Sequence, residues 1–293
     1  MPGAAGWRGR REANVKPFLL TFDVEEFDLP VELGHQLDID QQLGVTEEGL
    51  EKILPLLAKH TVVSTFFVTA QFARARPDAV RAITAAGHEV ACHGLTHRDD
   101  YNALAREVAT QRLRTARSIL AEVSGREIGG LRTPRFQSCA CSIMRDAGFT
   151  YDASAHPTLI PGRYNGLRLS RSPWWDEGIL RVPISVLPAI RLPISWLWYR
   201  TLGPWLGTLG GRAACFGAPY LHVYFHPWEA IDIRRFGVPR ALAVRTGDRF
   251  IDALDYLVAW AKLHFTRSTV GDFVNAYCVA VDGVATPVSL STR

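Results

Sequence analysis

The sequence predicts an α/β fold in which a parallel sheet closes, or nearly closes, into a single-domain barrel. Three observations predict it. Short β-branched or aromatic runs alternate with helical-period segments, and repeated β-then-α order implies parallel strands joined by right-handed crossovers. The 293 residues, 47% hydrophobic and 21% charged, suffice for one such barrel and exclude collagen-like, coiled-coil and disordered chains. No G-x-G-x-x-G follows the first strand, which disfavours the alternative, a doubly wound open sheet.

The elements follow in order. Phe18 to Phe22 is an apolar run bounded by Pro17 and Asp23, which suits a buried strand. Leu50, Ile53, Leu54 and Leu57 give Glu47 to His60 a helical period, with Thr46 as its N-cap. Val62 to Thr69 is β-branched and aromatic, hence a strand. Asp78 to Ala86 is a helix closed by Gly87, and Glu89 to Cys92 a strand. Leu104 to Val123 is a long helix ending before Gly125. Ile128 to Leu131 is a short strand, and Ser138 to Ala147 a helix closed by Gly148. Leu180 to Ser185 is extended, and Leu221 to Phe225 is a strong strand. Asp248 to Leu263 is an amphipathic helix, and Thr266 to Thr269 leads into a last strand or turn.

Formal net charge is +4, and most of it sits on Arg8, Arg10, Arg11 and Lys16 near the start. Residues 1–16 therefore read as a flexible basic tail, 17–280 as the barrel domain and 281–293 as a C-terminal tail. The near-neutral body argues against a nucleic-acid surface, which needs clustered Lys and Arg. Five cysteines without paired spacing read as free thiols of a reducing compartment. No apolar h-region follows the early arginines, so the cytoplasm is the expected location, with the inner face of the membrane as a variant. The apolar stretch from Val186 to Leu206 contains Trp196, Trp198 and Trp205. Pro188, Arg191, Pro193 and Arg200 interrupt it, which makes it core or oligomer interface before peripheral membrane contact.

Four clusters of chemically capable residues each follow a strand, and in a parallel barrel all strands end on one rim, where active sites form. Asp23, Glu25 and Glu26 follow the first. They read either as a solvated acidic turn or as functional carboxylates. His93 and His97 follow Cys92; histidines four apart share one face of a helical turn and can reach one metal, or can simply hydrogen-bond to their surroundings. With carboxylates on the same rim the metal reading is favoured, since two histidines and one carboxylate form a recurrent open site. Arg132 and Arg135 follow Leu131, with Arg132 placed to pair with an acid across the rim. His226 and Glu229 follow Phe225, and Trp228 offers an apolar wall to a sugar face or small acyl group.

Taken together, TFDVE (21–25), HGLTH (93–97), RTPRF (132–136), Tyr151–Asp152 and FHPWE (225–229) resemble, in order, the motifs of the polysaccharide deacetylases, the NodB-homology proteins of carbohydrate esterase family 4. The resemblance spans roughly residues 18–275 and implies a distorted (β/α)7 barrel. It implies Asp23 as catalytic base, His93 and His97 as metal ligands, Arg132 as the residue orienting the base, the Arg135 backbone N–H in the oxyanion hole and His226 as general acid. The commonest family form has two adjacent aspartates here; Val24 replaces the second, so the chain is similar to the Asp-x-Asp/Glu branch. Glu25 is then the favoured carboxylate ligand, because Asp23 and Glu25 point the same way along a strand, with Glu26 as substitute. Asp152 matches the residue that supports the acid histidine only by position, and Glu229 is the alternative. The cofactor implied is a divalent metal, zinc first, with cobalt, nickel or iron as others.

These residues imply a metal-dependent hydrolase removing N-acetyl groups from an amino sugar of a polysaccharide or lipid-linked glycan precursor. Two other readings stand beside it: a hydrolase of small amides, formamides or cyclic imides on the same fold, and an inactive carbohydrate-binding homologue.

Overall fold

The computed structural model describes residues 15–160 and 164–282. Strand β1 (Pro17–Val24) leads through helices α1 (Leu29–Glu32) and α2 (Ile39–His60) to β2 (Thr65–Val68). Helices α3 (Ala70–Ala75) and α4 (Pro77–Ala85) lead to β3 (Glu89–Cys92), α5 (Arg106–Ser124) to β4 (Gly130–Leu131), and α6 (Cys141–Asp146) to β5 (Tyr151–Asp152). Two antiparallel pairs follow: β6 (Leu159–Ile160) with β7 (Tyr164–Asn165), and β8 (Trp174–Asp176) with β9 (Ile179–Arg181). Helices α7 (Trp196–Leu202) and α8 (Gly211–Ala214) precede β10 (Leu221–Phe225). Helix α9 (Asp248–His264), β11 (Thr266–Arg267) and α10 (Val270–Asp282) complete the fold.

Seven strands run parallel in the order β10-β1-β2-β3-β4-β5-β9, with β8 antiparallel outside β9 and β11 beside the start of β1. The ring closes loosely between the chain after β9 and β10. Ser185 donates its N–H to the His222 carbonyl at 2.9 Å. The N–H groups of His222 and Tyr224, which an eighth strand would otherwise take, donate to the hydroxyls of Ser185 (2.9 Å) and Ser195 (3.0 Å). Serine side chains thus satisfy backbone donors that burial would penalise. The barrel is distorted there, as expected.

Side-chain alternation sorts each strand between two cores. Phe18, Leu20, Phe22 and Val24 of β1 join Phe66, Val68, Val90, Cys92, Leu131 and Phe225 in the outer core beneath the helices. Leu19, Phe67, Ala91, Tyr151, Leu180 and Tyr220 fill the barrel interior, which α10 plugs with Val270, Phe273 and Val274. The same parity points Thr21, Asp23 and Glu25 inward above Leu19. Each further turn of the pleat up the barrel is therefore more polar, and the acids arrive at the rim.

One expected boundary shifts for a physical reason. Helix α2 starts at Ile39 rather than Glu47, behind a capping box in which the Asp38 carboxylate accepts from the Gln41 N–H. The polar first turns (Asp40, Gln41, Gln42, Gly44) hide the apolar period. Thr46 is consequently not an N-cap; mid-helix, its hydroxyl donates to the Glu25 carbonyl at 2.7 Å and pins the strand end. Helix α2 also lies against the turn after β10: a Cβ on Gly49 would sit 2.0 Å from the Pro227 carbonyl oxygen, so only glycine permits that approach.

Lys16, placed in the basic tail by its charge, is anchored. Its ammonium donates to the carbonyls of Cys215 (2.6 Å) and Ala218 (2.8 Å). The rest of that tail through residue 14, and the C-terminal tail from 283, lie outside the described residues. All five cysteines are free thiols, four of them buried. Within the tryptophan-rich stretch, Tyr199 and Arg200 of α7 are buried whereas Trp205 is exposed. Among the described residues no helix is long and apolar enough to cross a membrane.

Candidate active site

The clusters predicted to share a rim meet there. Oε2 of Glu25 lies 3.1 Å from His93 Nε2 and 3.0 Å from His97 Nε2, and all three side chains are buried. One ligand atom from each falls within 4.8 Å of the others. The remaining ring nitrogens are committed: His93 Nδ1 lies 2.9 Å from the Arg132 carbonyl and His97 Nδ1 2.9 Å from Asp28 Oδ1. A carbonyl only accepts, so His93 Nδ1 carries the hydrogen, and the Nε2 lone pair is left for a cation. These donors fit a divalent transition metal of the zinc type.

The local backbone is a bend rather than the helical turn suggested by the His93–His97 spacing. Gly94 makes the bend possible, with φ +90° and a position where a Cβ would meet the Tyr101 hydroxyl at 2.8 Å. Glu26, the substitute ligand, is turned aside: Oε2 accepts the His97 N–H at 3.0 Å and Oε1 the Thr69 hydroxyl at 3.2 Å. Glu26 holds the bend in place, and Glu25 is the carboxylate at the centre.

Asp23 sits against Arg132. The guanidinium is fully buried and donates from Nη1 to Asp23 Oδ1 (2.5 Å) and Thr21 Oγ1 (2.9 Å), and from Nε to the Ala153 carbonyl (3.2 Å). Its Nη2 reaches His222 Nε2 at 2.9 Å, and its plane lies 4.1 Å over the Phe67 ring. Burial and the Arg132 charge push His222 well below its usual range, so it is a neutral acceptor whose Nδ1–H faces the Pro183 carbonyl at 3.2 Å.

His226 lies beside both. Its Nδ1 is 3.1 Å from Glu229 Oε1, its backbone N–H donates to the same oxygen at 2.8 Å, and its Nε2 is 3.8 Å from Glu25 Oε1. Burial lowers its pKa, but Glu25 and Glu229 outweigh burial, and the net direction is up. Asp152 does not support this histidine. It binds Arg181 at 2.6 Å and the Ser154 hydroxyl, and Glu229 takes the supporting place. Trp228 is not the open wall expected of it: it is buried, stacks on His226 at 4.6 Å and donates its indole N–H to Glu25 Oε1 at 3.3 Å. The Arg135 side chain is fully engaged, holding Asp28 (3.0 Å), Glu32 (2.7 Å) and the His97 carbonyl (2.9 Å). Its backbone, at φ 55°, turns in the left-handed region at the edge of the well.

Asp28, Thr21, His222 and Arg200 escaped the sequence reading. Asp28 ends the acidic run begun at Asp23, and His222 shares the parity of Tyr224 and His226 on β10, so run length and period two carry signals for both. Arg200 carries none, since only the fold brings it to Glu229.

Burial lowers His97, but Glu25 and Asp28 overcome that and raise it to about 9. Burial likewise pushes Glu25 up, and His97, His226 and His93 together hold it well below the usual carboxylate range. A cation must therefore displace a proton from His97. Uptake at pH 7.5 is expected to release about one proton per cation, fading above pH 9, with affinity falling about tenfold per pH unit below 9. Zinc titration in weakly buffered solution reads this directly; uptake without proton release contradicts it.

The family model for polysaccharide deacetylases matches residues 10–151, just under half of the chain. A chitooligosaccharide deacetylase from Sinorhizobium fredii is 37% identical over 83 residues, 28% of this chain and 39% of that protein. One from Bradyrhizobium sp. is 28% identical over 144 residues, 47% and 58% of the two chains. The chain thus matches less than two thirds of the length of these relatives. Among solved structures, a protein provisionally described as a polysaccharide deacetylase from Mycobacterium smegmatis has a TM-score of 0.64 at 19% identity, covering 100% of this chain and 99% of that one. Puue allantoinase has 0.65 at 16% identity, covering 93% of each. Both share the fold. The chain is thus similar to the polysaccharide deacetylases over residues 10–151 and shares the fold of these solved structures.

Proposed function

We propose that the protein is a metal-dependent hydrolase that removes the N-acetyl group from an amino sugar of a glycan. The observation that carries this is the convergence of Glu25, His93 and His97 with Asp23 and His226 in one well, Asp23 backed by Arg132 and His226 by Glu229. Relatives named for chitooligosaccharide deacetylation support the substrate class.

An N-acetyl amide is a poor electrophile, and a divalent cation held by Glu25, His93 and His97 supplies Lewis-acid polarisation of its carbonyl and a more acidic water. Asp23, fixed at Oδ1 by Arg132, takes the proton of the attacking water. The Arg135 peptide N–H, turned by its left-handed φ at the edge of the well, donates to the developing oxyanion. His226 holds its Nδ1–H against Glu229 and delivers a proton from Nε2 to the departing nitrogen, giving acetate and a free amine.

The shape of the site supports a small acyl group. The well itself holds about 50 Å³, and a neighbouring cavity of about 450 Å³ shares Arg135 and Phe136 with it. That cavity also presents Trp174, His156, Asn165 and Asp176, an aromatic and hydrogen-bonding lining suited to a sugar ring. Acetate release from N-acetylglucosamine oligomers by the zinc-loaded protein tests the reading. Turnover of a cyclic imide or formamide in place of these sugars overturns it.

A further inference from the structure

Glu229 is itself held from behind. Its Oε2 accepts from Arg200 Nε at 2.5 Å, and both side chains are essentially inaccessible to solvent. Arg200 is locked in turn, donating from Nη1 to the carbonyls of Leu242 (3.0 Å) and Val244 (2.6 Å). Its own carbonyl accepts from Arg245 at 2.9 Å. Trp196, one helical turn earlier on α7, meets the His226 ring edge-on at 5.7 Å. The start of α7 and its Arg200 thus both border the His226–Glu229 pair.

A buried arginine is costly, and all three hydrogen bonds of this guanidinium fix one carboxylate and the loop behind it. The carboxylate has two jobs on its other oxygen, the backbone N–H and Nδ1 of His226. Rotation of the Glu229 carboxylate would release both. We propose that Arg200 is a positioning residue for proton delivery: through Glu229 it sets the His226 ring so that Nδ1–H stays bonded and Nε2 faces the well. This rests on the reading of His226 as the proton donor to the departing nitrogen.

The balance of the reaction supplies the test. Hydrolysis of an N-acetyl sugar breaks a C–N bond, and the departing nitrogen needs the proton from His226 Nε2. Hydrolysis of p-nitrophenyl acetate breaks a C–O bond and expels p-nitrophenolate, which leaves as the anion without that proton. The zinc-loaded wild type, Arg200→Gln, Arg200→Lys and His226→Ala are assayed on an N-acetylglucosamine oligomer and on the ester. Arg200→Gln is expected to lower kcat on the sugar about 10²-fold, within the range of a lost general acid, and to leave KM and zinc content unchanged. Its loss on the ester is expected to stay below about tenfold, matching His226→Ala in selectivity. Arg200→Lys, which keeps one donor to Glu229, is expected to recover part of the sugar activity, and it carries the same comparison if the glutamine variant melts too early. Equal losses on both substrates, or no loss on the sugar, overturn the inference. A wild type that cleaves the ester but no N-acetyl sugar overturns the functional reading itself, and is distinguishable because it appears before any substitution.

Discussion

Asp23→Asn is expected to retain its metal and lose turnover by about 10²–10⁴-fold, the usual contribution of a positioned base. Asparagine keeps an oxygen for Arg132 Nη1 and nearly the same shape, so the Asp23–Arg132 contact at 2.5 Å survives as a neutral-acceptor bond. It cannot take a proton. Asp23 is also outside the group of Glu25, His93 and His97, so cation content should not change. Steady-state kinetics on an N-acetylated sugar, with metal measured on the same sample, checks both halves. A fully active variant would show that another group takes the proton.

Arg132→Met is expected to be the most destabilising single change at the site, by about 3–5 kcal/mol, as for removal of one partner of a buried ion pair. Arg132 is fully buried and joins four elements: Thr21 and Asp23 on β1, Ala153 after β5, His222 on β10 and the Phe67 ring on β2. Methionine fills much of the volume but leaves Asp23 as an uncompensated buried carboxylate. Urea denaturation of the two proteins gives the difference, and a loss below about 1 kcal/mol would mean that the interior tolerates the unpaired acid. The same variant loses the group that fixes Asp23, so its activity should fall with its stability.

How far this site could be read in the sequence follows from how each part is encoded. Strand parity is local, and aligning Asp23 with Glu25, the residue just past β1, needs only period two. The strand-end rule then gathers His93, His97, Arg132 and His226 on one rim from sequence alone. Contacts that depend on side-chain direction at the rim were not legible. Glu26 and Glu25 are neighbours in sequence, yet one holds a backbone bend and the other faces the histidines. Asp152 is held away from the acid histidine by Arg181, its register partner in the parallel β5–β9 pairing, which no short motif announces. Trp228 reads as an exposed wall beside a histidine, but stacking on His226 and a tilted contact with Phe27 bury it. The barrel seam was equally hidden, because Ser185 and Ser195 substitute hydroxyls for a strand. Helix α2 was legible only from its apolar half, since its polar start carries no period.

The account turns on one claim, that Glu25, His93 and His97 hold a divalent cation. Elemental analysis of the purified protein and of His93→Ala, both dialysed without chelator after exposure to zinc, tests it most directly. About one equivalent of transition metal in the wild type and none in a folded His93→Ala is the predicted result. No metal in either protein, or equal metal in both, would contradict it.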